Sequence, residues 1–134
     1  MIQLPPSLAF DAAVARTFFG QLRKRTDARL VCEPRHPSWF TPEAERLFAD
    51  HRIARVAADP APVPGAEEHG GWAGLRYARL HGSPDMYRST YDVAALRELA
   101  TVALAAGVEI WTIFDNTMTG AATANALAMW ELVN

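Results

Sequence analysis

Short apolar runs alternate with longer segments of helical period, and this alternation constrains the fold more than any other feature of the sequence. Strand-sized runs separated by helix-sized ones specify βα units, because a crossover between parallel strands needs room for a helix. The runs are Ile2 to Leu4, "RLVCE", "IARVAAD", "LRYARLHG" and "EIWTIFDN". The first is clipped and its start at Met1 suggests part of a larger architecture.

Helix signals fill the intervals. Asp11 is placed to cap a helix with an apolar stripe of Val14, Phe18, Leu22 and Phe19. Thr41, Pro42 at the first helical position, and Glu43 and Glu45 in the first turn open a second. A third runs from Asp92 through Ala106 to Gly107, and a fourth from Thr119 or Gly120 nearly to Asn134. "PAPVPGAEEHGGW" reads as an exposed loop rather than a domain linker. The expectation is one domain over residues 1–134 with about five parallel strands and flanking helices.

With 134 residues, half of them hydrophobic, the chain has material for a single core. A formal charge of -2 argues against a globally basic nucleic-acid binder while leaving room for a local patch. Cys32 is the single cysteine, which excludes an internal disulfide and a multi-cysteine metal site and fits a reducing compartment, so a cytoplasmic location is expected. No segment approaches eighteen uninterrupted apolar residues, so no membrane partner is expected. One lysine stands against twelve arginines, a composition bias that makes a lone arginine weak testimony for function.

In parallel βα folds, ligand chemistry gathers at the carboxyl ends of the strands. The ends here are Glu33-Pro34-Arg35-His36, Asp59, Arg79-Leu80-His81 and Asp115-Asn116. Residues two apart share a face, which puts Glu33 with Arg35, and Tyr77 with Arg79 and His81, while Ala78 and Leu80 turn toward the helices. Candidate acid/base groups are Glu33, His36, Asp59 and His81, with Arg35 and Arg79 as contacts for an anion. Each has a structural alternative: an ion pair for Glu33 with Arg35, a loop cap for His36, a turn for Asp59, a carboxylate partner for Arg79.

Asp115 and Asn116 precede a glycine-bearing loop and a helix start, a generic anion seat. Asn125 lies inside that helix, as a ligand contact or a packed amide. Trp39, Tyr87 and Tyr91 could stack on a sugar or base, or pack against the rim. No Walker, GxGxxG, GxSxG or HExxH motif occurs, and His36, His81, Glu33 and Asp59 lack the local spacing that would assign a metal. The sequence does not reveal which cofactor, if any, the chain uses.

"QLPPS" (3–7), "EPRHPSWF" (33–40), "YARLHG" (77–82), the loop tyrosines Tyr87 and Tyr91, "FDN" (114–116) and "ANA" (124–126) occur in this order. Together they resemble the domain-of-unknown-function 72 (YecE-like) family over nearly the whole chain. The resemblance implies a TIM-like β/α barrel, usually about twice this length, without an assigned activity, of which this chain looks like the C-terminal portion with about three N-terminal βα units absent. Pro34 stands where the family usually has Phe, and Asp115 where the first Asn of an Asn-Asn pair is common. A partial barrel would expose sheet edges and favour a homo-oligomer. Two readings follow from the sequence. One is a barrel mouth that binds or processes a phosphorylated small molecule or nucleic acid; the other is a truncated, non-catalytic interaction module.

Overall fold

The computed structural model describes all of residues 1–134. Strands β1 (Ile2–Gln3), β2 (Leu30–Glu33) and β3 (Ile53–Arg55) pair in parallel in that order. Strands β4 (Ala57–Asp59), β6 (Arg76–Leu80) and β7 (Ile110–Phe114) form a second parallel ladder. The segment "IARVAAD", expected to be one strand, is divided at Val56: its first half pairs with β2 and its second with β6. The Val56 N–H still reaches the Cys32 carbonyl at 2.9 Å, so the division is a bend that joins the two ladders. The strands therefore neighbour one another in chain order, as successive βα units require.

A second correction concerns the proline- and glycine-rich segment after Asp59. Gly70–Gly71 forms β5, antiparallel to β3, so the sheet is not wholly parallel and this segment is not only loop. Its cross-strand position is held by Glu45, whose Oε2 accepts from the Gly71 N–H at 2.5 Å while Oε1 pairs with buried Arg55. Pro34 does not disturb the strand, because β2 ends at Glu33 and the ring follows the last residue whose N–H the ladder uses.

Helices α1 (Ala12–Arg23), α2 (Pro42–Asp50), α3 (Val93–Leu104) and α4 (Ala121–Val133) flank the strands. Asp11 caps α1, its Oδ1 accepting from the N–H groups of Ala13 and Val14 at 2.9 and 3.0 Å. The apolar stripe expected on α1 is rotated: Ala15 and Phe19 are buried, whereas Val14 and Phe18 are 66% and 49% exposed. The cause is aromatic packing. Phe19 packs against the stacked pair Trp39 and Phe48, with ring centroids 6.3 and 5.6 Å away, and this turns the Val14–Phe18 edge outward.

Two apolar clusters pack helices onto the sheet, one around Phe19, Cys32, Phe48 and Ile53, the other around Leu80, Leu96 and Met129. Burying a side chain of this size stabilises by about 2 kcal/mol. A third cluster, Val31, Ala54, Val56 and Leu75, lies on the opposite face of the strands. That concave face also carries Glu33 and Arg79 at its carboxyl end, because register partners in a parallel pair point the same way.

Candidate functional site

Glu33, at the end of β2, is only 2% exposed. Its Oε1 accepts from Arg35 Nε at 3.1 Å and Nη2 at 3.0 Å, and its Oε2 accepts from Arg79 Nη1 at 2.5 Å. Arg79 continues the chain of charges: Nε donates to Asp115 Oδ2 at 2.9 Å, Nη2 pairs with the same oxygen, and Nη1 also donates to Gln3 Oε1 at 3.1 Å. The line Arg35, Glu33, Arg79, Asp115 thus crosses from β2 to the end of β7. It can do so because the intervening strand places only a methyl group there, Ala58, the register partner of Arg79. Burial alone would lower the Arg79 pKa, but the hydrogen bonds and charges of Glu33 and Asp115 raise it above the ordinary guanidinium value.

His81 shares this face and is buried. Its Nδ1 lies 3.5 Å from Asp115 Oδ2, within ion-pair reach but without hydrogen-bond geometry. Burial, and then the charge of Arg79, lower the His81 pKa below 6.5, so the imidazole is neutral at pH 7. The sign of the resulting pH dependence is fixed. The unfolded chain takes up a proton as pH falls through 6.5 while the native imidazole resists, so this contribution is complete above 6.5 and is lost below it. His69 contributes with the same sign, its pKa lowered by burial and then by the charges of Arg76 and Arg55. Denaturant midpoints measured from about pH 7 to about pH 5 are expected to fall less steeply in His81→Gln than in the wild type; equal slopes would count against a buried neutral His81.

Tyr87 covers the imidazole. Its ring meets His81 edge-on, with centroids 5.5 Å apart, and its backbone adopts φ +67°, a left-handed conformation that costs a non-glycine residue energy. Two backbone bonds hold it: Tyr87 N–H to His81 O at 2.5 Å, and Met118 N–H to Tyr87 O at 3.0 Å. Glu33, Arg35, Ala58, His81, Met86 and Tyr87 line an open cleft of about 170 Å³, with Pro6, Pro60 and Pro62 completing the lining.

The other candidates form a second group. Asp59 does not join Glu33. Strand alternation turns it to the helix-facing side, where its Oδ2 accepts from the Tyr91 hydroxyl at 2.7 Å. That hydroxyl in turn accepts from Gly82 N–H at 2.9 Å; burial, then the bond to Asp59, push its pKa up. Asn125 Oδ1 accepts from Tyr91 N–H at 3.1 Å and Asn116 Nδ2 at 2.8 Å, and its Nδ2 donates to Tyr91 O at 2.8 Å. Asn116 Nδ2 also donates to Ser89 O at 3.0 Å. The four residues tie the loop after β6 to α4 and to the end of β4. Gly82 is required in that loop: it has φ +94°, and a Cβ there would lie 2.8 Å from Ser89 O.

Two candidates reach neither group. Trp39 is a core residue rather than a stacking platform, with its Nε1 donating to Leu8 O at 2.9 Å and its ring stacked on Phe48. His36 caps the short 3-10 turn at Pro37–Trp39, its Nδ1 accepting from Ser38 N–H at 3.2 Å, and it lies outside the cleft lining. Gln3 is the mouth residue the sequence did not single out. It carries no charge and sits on a two-residue strand whose register with Glu33 only pairing reveals. No three His, Cys, Asp or Glu side chains gather as a metal-ligand set. Burial, then the charge of Glu33, push the Cys32 thiol up to about 12, which removes it as a nucleophile. The largest cavity, about 590 Å³, is an outward groove between β4, β6 and α3, away from the converging charges.

Fold and site together define a class: an α/β chain of parallel strands with flanking helices, consistent with part of an α/β barrel, whose polar residues converge at the carboxyl ends of the strands. Over residues 1–134 the sequence matches the family described as "Protein of unknown function DUF72", the YecE-like family, and the chain belongs to it. The chain is similar to the crystal structure of a DUF72 family protein from Thermotoga maritima MSB8, with a TM-score of 0.77 and 26% identity over 98% of this chain and 55% of that one. It also resembles a DUF72 family protein from Enterococcus faecalis V583, with a TM-score of 0.77 and 20% identity over 98% of this chain and 57% of that one. The chain therefore spans little more than half the length of these solved relatives. No curated protein sequence matches it. No helix is long and apolar enough to cross a membrane.

Proposed function

We propose that the cleft at the carboxyl ends of the strands binds a small anionic organic ligand, the broad class that includes phosphorylated metabolites and nucleic-acid fragments. One observation carries this reading: Arg35 commits Nε and Nη2 to Glu33 but has no protein acceptor for Nη1, and it lines the cleft. Glu33 is held by two guanidinium groups and serves to orient Arg35 rather than to remove a proton. Arg79 is likewise occupied by Glu33, Asp115 and Gln3, so its role is to position the others. The neutral His81, whose Nδ1 has no hydrogen-bond partner in the protein, is a group able to hydrogen-bond a bound ligand, and Tyr87 supplies a wall.

The test is thermal unfolding against a panel of small anions. A ligand at about 100 times its Kd adds about 2.7 kcal/mol to stability, a shift of several degrees for a domain of this size. Arg35→Ala, which removes the donors of Glu33 Oε1, should unfold below the wild-type temperature and lose the ligand-induced shift. A wild type indifferent to every anion, or a variant that retains the shift, rejects the proposal.

A second reading is an interaction module that completes a TIM-like barrel through its edges with another copy. It is favoured by Trp111, 51% exposed on the terminal strand β7, and by the two-residue edge strand β1. Light scattering at micromolar concentration should then give a dimer mass; a monodisperse monomer sinks it.

A further inference from the structure

We infer that the cleft selects a short-chain monocarboxylate over a phosphate dianion, a refinement that rests on the anion-binding reading above. The formal charges of Arg35, Arg79, Glu33 and Asp115 cancel, so the mouth offers no net positive field. His81 adds no charge at neutral pH. Arg79 has no paired edge left to offer, since Nη1 serves Glu33 and Gln3 while Nε and one hydrogen of Nη2 serve Asp115, and it does not line the cleft. What remains is one edge of one guanidinium, Arg35 Nη1 with the outer hydrogen of Nη2.

That edge is a planar pair of donors, which matches the two oxygens of a carboxylate. A carboxylate brings one negative charge to this neutral site, half the load of a dianion, and its two oxygens can take both free donors of the edge. A phosphate dianion brings two, beside the Glu33 carboxylate that already shares the same guanidinium, and the cost of removing it from water is not repaid by a site of zero net charge. Size and lining agree with this assignment. At about 170 Å³ the cleft lies below the range of about 300–1,000 Å³ usual for drug-sized ligands, which limits the organic part to a few carbons. Ala58, Pro60, Pro62, Met86 and the Tyr87 ring give that part apolar walls.

The test is an NMR titration of the whole chain with butyrate and, in parallel, with n-propyl phosphate and inorganic phosphate. A pH of about 8 keeps the phosphates dianionic. Butyrate is expected to move the Arg35 guanidinium, His81 and Tyr87 resonances and to bind at least about tenfold more tightly than n-propyl phosphate. Arg35→Lys, which keeps the charge and loses the planar fork, should weaken butyrate binding about tenfold. Either phosphate binding as tightly as butyrate overturns the carboxylate assignment and leaves the anion-binding reading standing. Undiminished butyrate binding in Arg35→Lys also overturns the assignment. Resonances that no anion moves reject both.

Discussion

Replacing Arg79 by methionine is expected to lower folding stability by about 3 kcal/mol, because it removes one partner from buried charges and leaves the others behind. Glu33 would keep Arg35 alone, while both Oε2 and the Asp115 carboxylate would lose their donor. Methionine retains much of the volume, so the loss reports charge rather than a cavity. Glu33 cannot readily regain water: the β1–β2 pairing and the cleft walls enclose it at 2% exposure. The decisive control adds Glu33→Gln and Asp115→Asn to Arg79→Met. Neutralising the abandoned carboxylates should recover most of the loss in urea denaturation. A single variant within about 0.5 kcal/mol of wild type would place Glu33 in contact with solvent and remove the basis for Arg79 as the residue that positions the mouth.

The same residue shows where sequence pattern stops. Alternation along "YARLHG" correctly puts Arg79 and His81 on one face, since the strand period is 2 and depends on no partner. Pairing of Glu33 with Arg35 follows from the same period, and the capped starts of α1 and α2 follow from Asp11 and Thr41. Separation of Asp59 from Glu33 was not legible, because it depends on how "IARVAAD" bends at Val56 and on the direction of its last side chain. Trp39 illustrates a different limit. In "PSWF" it could belong to a rim or a core, and the choice is made by Phe19 and Phe48, which come from two other helices. Periodicity also misjudged α1, where tertiary aromatic packing selected Phe19 over Phe18. The polar ends were visible residue by residue; their division into a charged mouth and a neutral hydrogen-bonded tie was not.

Asn125 makes that division testable at a distance from the cleft. Substituting leucine, close in shape, is expected to cost about 3 kcal/mol, because Tyr91 N–H, Tyr91 O and the Asn116 amide would each lose a buried partner. The cost need not be met by global unfolding. The loop after β6 is exposed over most of Ser83–Arg88 and can release its backbone to water, so hydrogen exchange should rise across residues 82–91 before the β2 and β3 amides respond. Release of the loop would also free Tyr87 from its strained φ, and the ring would leave the imidazole it now covers. Anion binding at Arg35 should therefore weaken in Asn125→Leu although Asn125 does not line the cleft. Asn125→Ser, which keeps a small donor and acceptor, should recover part of the protection. Unchanged exchange over 82–91 in Asn125→Leu would show that Tyr87 is positioned by its bonds to His81 and Met118 alone, and the tie would then have no bearing on the site.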